Sequence, residues 1–221
     1  MWIDDITLKQ PLFYNNSFAL RLEIGSPNVG IWTDSTRKCY NETYFSDALT
    51  RALTIFESAF SPDDDISVVY QIFSDGRRKI KKRSLIYQQI KNTPNKTIEL
   101  TDHRDLYADD LLYKKQCWRR ATISGLKTAD LEVENLLSAI LNTDFGKGRN
   151  PTLRGECYFL NHSKNLVLFL YDDRGMDIVA AEKPTLVPLY NAHQQWILDY
   201  DRPQIERIFA EVSGEHNIRH T

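Results

Sequence analysis

The sequence predicts an α+β domain in which helices cover a mostly antiparallel sheet, ending in a C-terminal three-stranded meander followed by two helices. Three observations predict it. An early segment alternates apolar and polar residues as a half-buried strand does. Two later stretches carry apolar stripes at helical spacing. The last third packs three short apolar runs, separated by turn residues, ahead of two further stripes.

From Phe18 to Ile24 the residues Phe18, Leu20, Leu22 and Ile24 fall on one side of an extended chain, and Ala19, Arg21 and Glu23 on the other. Between Tyr44 and Phe60, Phe45, Leu49, Ala52, Phe56 and Phe60 form one helical stripe, with Asn41 or Thr43 as its cap. A second strand is expected over Ile66 to Phe73. The stretch 75–110 is polar and only patchily periodic, which predicts an extended arm or long loop with a short helix around Leu85 to Ile90. Cys117 to Ile123 reads as a strand. Thr128 is placed to cap a helix striped by Val133, Leu136, Leu137, Ile140 and Leu141, and the loop Asn142 to Arg154 closes that unit.

Cys157 to Leu160, Leu166 to Tyr171 and Met176 to Ala180 predict the meander. Its second turn is expected to need Gly175 at positive φ. Leu186, Leu189, Tyr190, His193, Trp196, Ile197 and Tyr200 trace the first terminal helix, and Asp201 with Gln204 has the spacing of a capping box for the second.

With 221 residues, 42% hydrophobic and 26% charged, the chain has the make-up of an ordinary globular protein able to bury its own core, and no linker divides it. One domain over 1–221 is expected. Cys39, Cys117 and Cys157 are odd in number and far apart, so a disulfide framework and a paired metal knuckle are both excluded. The acidic start Met1-Trp2-Ile3-Asp4-Asp5 lacks the base of a signal peptide, and no run approaches ~20 apolar residues. The cytoplasm is the expected location, with no membrane partner. A net charge of -2 disfavours nucleic acid as a partner, leaving one local exception, the basic patch Arg77, Arg78, Lys79, Lys81, Lys82 and Arg83, flanked by Tyr70, Phe73 and Tyr87.

The most informative string is Tyr171-Asp172-Asp173-Arg174-Gly175-Met176-Asp177, because it follows the wholly apolar Leu166-Val167-Leu168-Phe169-Leu170 and so places charge at the end of a buried strand. Asp172, Asp173 and Asp177, with Asp199 and Asp201, offer oxygen ligands for a hard cation such as Mg²⁺. Period-two alternation argues against it by sending Asp172 and Asp173 to opposite faces, with Arg174 and Asp177 pairing across the turn. The structural alternative is a polar junction of Asp172, Asp173, Arg174, Asp177, Asp199, Asp201 and Arg202, with a guanidinium of Arg174 or Arg202 gripping Asp199 or Asp201. No catalytic signature occurs, His193 reads as a core histidine, and no catalytic residue, metal ligand or cofactor is assigned.

Several strings resemble the bacterial family known as domain of unknown function 3885: Tyr44-Phe45, Arg51-Ala52 and Ile55-Phe56 on the first helix, Asp64, Lys79-Ile80, Asp144-Phe145, the 171–177 string, and Trp196-Ile197-Leu198-Asp199-Tyr200-Asp201-Arg202. The family-like core is set at 17–212, with the start Met1 to Ser17 outside the resemblance. The resemblance implies no reaction. By analogy with small bacterial proteins of this style it implies a non-enzymatic binding protein, an immunity protein that neutralises a cognate toxin as its protein partner. The competing expectation is a metal-dependent nuclease or phosphodiesterase built on the Asp cluster.

Overall fold

Seven strands pair antiparallel throughout in the order β1-β7-β6-β5-β2-β4-β3 in a computed structural model that describes residues 2–74, 79–104, 106–107 and 117–210. They are β1 (Ala19–Glu23), β2 (Asp65–Ser74), β3 (Thr97–Arg104), β4 (Cys117–Lys127), β5 (Glu156–Asn161), β6 (Leu166–Leu170) and β7 (Gly175–Ala180). The helices are α1 (Trp2–Asp5), α2 (Glu42–Ala59), α3 (Leu85–Gln88), α4 (Val133–Leu141), α5 (Lys183–His193) and α6 (Arg202–Ala210). The fold class is the one expected, and β5, β6 and β7 form the C-terminal meander.

Register assigns the two faces of the sheet. Leu20, Ile178, Leu168, Phe159, Val68 and Ile123 oppose one another across successive strands and face the helices, where Phe56 of α2 meets Phe159 edge to face at 5.3 Å. Arg21, Asp177, Phe169, Tyr158 and Val69 share the other face. The amino-terminal segment covers part of that second face and buries Ile3, Leu8, Leu12 and Phe13. With both faces of the central strands covered, β6 is apolar and buried along its whole length, where a half-covered strand would alternate.

Asn41 caps α2 by accepting from the Thr43 amide at 3.2 Å, as expected. Thr128, in contrast, opens a short 3-10 turn, and α4 starts after Glu132. The Asp201–Gln204 capping box does not form, because the Asp201 carboxylate turns to Tyr14 and Arg21, leaving its backbone carbonyl to accept from Gln204 at the start of α6. The first terminal helix ends at His193 rather than Tyr200. A 3-10 turn follows, and Ile197 bridges Leu22 on the outer edge of β1.

Two expectations fail for steric and solvent reasons. Gly175 is not among the glycines at positive φ. It is required because a Cβ there would collide with the Tyr171 phenol. In the polar stretch 75–110 the short helix expected around Leu85 to Ile90 is α3, but the stretch is no plain arm, since it also contains the edge strand β3, paired along its length with β4. That strand alternates only briefly, at Ile98 and Leu100, and both are open to water like most of its positions, so it carries no apolar face long enough to mark it.

Candidate functional site

The charged string 171–177 feeds two separate centres. In the first, Arg21 of β1 donates to both carboxylate oxygens of Asp177, at 2.8 and 3.0 Å, and its third nitrogen lies 3.9 Å from Asp201. Asp177 also accepts from the Phe13 amide, and Asp201 from the Tyr14 hydroxyl at 2.8 Å. The rings of Phe13, Tyr14 and Tyr171 surround the guanidinium at 5.1, 4.7 and 5.9 Å. Burial pulls the Arg21 pKa down, but the bond and charge of Asp177 outweigh it and hold the guanidinium above its ordinary value.

The second centre lies across the turn. Asp172 accepts from the Arg174 amide and from two nitrogens of its guanidinium, which also lies 3.9 Å from Asp144. Asp173 accepts from the Tyr44 hydroxyl at 2.6 Å. Burial pushes the Asp173 carboxyl pKa up, against the pull of the Tyr44 bond, and burial with the Asp173 charge raises Tyr44 in turn. Oxygens of Asp144, Asp172 and Asp173 lie within 4.8 Å of one another.

The expected opposite orientation of Asp172 and Asp173 is therefore wrong. β6 ends at Leu170, so period-two alternation stops before them. Arg174 pairs with Asp172 and not with Asp177, which Arg21 holds. Of the expected two-pronged grip of Arg174 or Arg202 on Asp199 or Asp201, only a single-nitrogen contact of Arg202 with Asp199 forms, and Arg21 takes the place beside Asp201. Asp199 is fully exposed and, among the described residues, pairs with Arg202 alone, at 3.4 Å, while Arg202 fastens the start of α6 by donating to the Ile197 carbonyl at 2.9 Å. The hairpin and the segment before α6 do converge, at Asp177 and Asp201, through Arg21, which no local pattern marks as their partner.

A third arrangement was not foreseen. Glu156 opens β5 nearly buried and accepts from Tyr107 at 2.5 Å, Tyr158 at 2.6 Å and Gln71 at 2.5 Å. The Gln71 carbonyl accepts in turn from Arg120. Burial raises the Glu156 pKa and the three donors oppose the rise.

Glu156 lies in an open groove of about 1700 Å³, where β2 and β6 end and β4 and β5 begin. Five basic side chains line it, Lys9, Lys79, Lys81, Arg154 and Arg174, against three acids, Asp144, Glu156 and Asp172. Aromatic rings of Phe73, Tyr107 and Trp118 form part of its wall, with Trp118 5.1 Å from Tyr107 and 6.4 Å from Phe73. Of the expected basic patch, Lys79 and Lys81 reach the groove, Lys82 and Arg83 are exposed beside it, and Arg77 and Arg78 lie outside the described residues. The sequence signal for Glu156 was a single acid at the head of an apolar strand, and the signal for Arg21 was a base on the polar side of β1.

His193 is buried, stacks on Trp196 at 5.2 Å and meets Ser58 through Nε2 at 3.1 Å, while its Nδ1 has no partner among the described residues. Cys39, Cys117 and Cys157 are all free thiols, and burial pushes the Cys157 thiol above its ordinary pKa. Among the described residues no helix is long and apolar enough to cross a membrane.

A family model described as Domain of unknown function (DUF3885) matches residues 3–201, taking in the amino-terminal segment that packs on Asp177. The chain is also similar to the uncharacterised protein YnaE of Bacillus subtilis (strain 168), with 26% identity over 153 residues, covering 66% of this chain and 71% of that protein. No solved structure matches.

Proposed function

For a chain that belongs to the DUF3885 family, we propose the role of a non-enzymatic binding protein that engages a protein partner through the groove at the sheet end, acting in the cytoplasm to neutralise a cognate toxin. The observation that carries this reading is the state of the acids. Asp172, Asp173, Asp177 and Asp201 each accept from an internal donor, namely Arg174, Tyr44, Arg21 and Tyr14. Groups held in this way fix tertiary geometry, and the groove beside them presents the surface for recognition. A contact burying about 1,600 Å² in total would give a stable complex.

The test is titration calorimetry of the purified chain against the product of a toxin gene adjacent to its own. A saturable complex that also abolishes the toxin's activity supports the reading, and no heat and no protection contradict it.

One observation favours the alternative, a metal-dependent nuclease or phosphodiesterase: the approach of Asp144, Asp172 and Asp173. Against it, Arg174 and Tyr44 occupy oxygens that a cation would need. Mg²⁺-dependent cleavage of nucleic acid that vanishes in Asp173→Asn would replace the binding reading with this one.

A further inference from the structure

We infer that the groove takes an extended acidic segment of a partner protein, its carboxylates set against Lys79, Lys81 and Arg154, an assignment that rests on the binding-protein reading above.

The observation that carries it is charge. Lys79, Lys81 and Arg154 make no ion pair among the described residues, although the chain as a whole carries a net charge of -2. Exposed cations gathered on one groove of an otherwise acidic molecule draw an anionic partner to that place and set its orientation.

Mixed polarity selects peptide over nucleic acid. Asp144, Asp172 and Glu156 also line the groove, and a phosphate at every step would meet them with repulsion, whereas a peptide can turn amide donors toward acids and carboxylates toward bases. The size agrees. About 1700 Å³ exceeds the range of roughly 300–1,000 Å³ for small-ligand pockets and suits an extended chain with side chains. The ring walls of Phe73 and Trp118 would hold an apolar or aromatic residue between the acidic ones.

The experiment is selection of a random displayed peptide library on the full chain, followed by fluorescence anisotropy of the recovered peptides on the parent and on Lys79→Glu/Lys81→Glu. Urea unfolding establishes that the variant is folded. The expected result is recovery of peptides rich in Asp and Glu, with affinity at least about tenfold weaker for the double charge reversal. Recovery of neutral or basic peptides, no recovery, or an affinity unchanged in the variant would overturn the assignment. Tighter binding of a labelled oligothymidylate than of any acidic peptide would transfer the groove to single-stranded nucleic acid and overturn it too. A toxin complex that survives Lys79→Glu/Lys81→Glu removes the groove assignment alone. Acidic peptides captured with no toxin complex remove the toxin role alone.

Discussion

The Arg21 centre and the groove are built from the same kinds of residue and behave in opposite ways. Around Arg21, a guanidinium at 12% side-chain exposure meets a fully buried carboxylate in a two-pronged bond, with three aromatic rings enclosing it. In the groove, Lys79, Lys81 and Arg154 stand exposed beside aromatic rings and make no ion pair among the described residues. The difference teaches how to separate scaffold from recognition in this molecule. Charge that is buried and answered holds elements together, and charge that is exposed and unanswered is available to a partner.

The sharpest way to break this contrast is to remove one side of the buried pair. Asp177→Ala strands Arg21 beside the sheet and orphans the Phe13 amide, and is expected to cost about 3–5 kcal/mol in urea unfolding. A loss below about 1 kcal/mol would place Arg21 with the exposed pairs, which are worth little. Tyr44→Phe tests the neighbouring centre more gently. It removes the donor to Asp173, a carboxylate only 3% exposed, and should cost about 1–3 kcal/mol.

What the sequence disclosed follows from periodicity. β1, α2, β2 and the meander were legible because each buries a continuous face, and burial writes itself as a repeat of apolar residues. β3 was illegible for the converse reason, since an edge strand exposed along most of its length has no face to mark. The amino-terminal segment was missed because Ile3, Leu8, Leu12 and Phe13 plug one sheet face from an irregular chain and share no period. The hairpin string stands out in the sequence as charge at the end of a buried strand, but its partners do not. Arg21 lies 156 residues from Asp177, and nothing local announces that they meet.

Acid titration sharpens the same contrast on the helical side. Burial lowers the His193 pKa, so the native state keeps the imidazole neutral while the unfolded chain, with an ordinary value of 6.5, takes up the proton first. Stability from this group is full above about pH 6.5 and is lost as pH falls below it. His103, also lowered by burial, adds a slope of the same sign. His193→Gln should therefore flatten the profile of unfolding free energy against pH without abolishing it, and an unchanged profile would show that His193 does not titrate on unfolding. The smallest effect on stability is expected in the groove, where Lys79→Glu/Lys81→Glu should move the unfolding free energy by no more than about 0.5 kcal/mol.

Crossing the two regions in one assay gives the most direct test. Selected acidic peptide is titrated into Asp177→Ala and Lys79→Glu/Lys81→Glu under conditions where both remain folded, and the dissociation constants are compared with that of the parent. Binding that is kept in the destabilised Asp177 variant and lost in the stable lysine variant is the predicted outcome. The reverse pattern would contradict the division between a structural centre at Arg21 and a recognition surface in the groove.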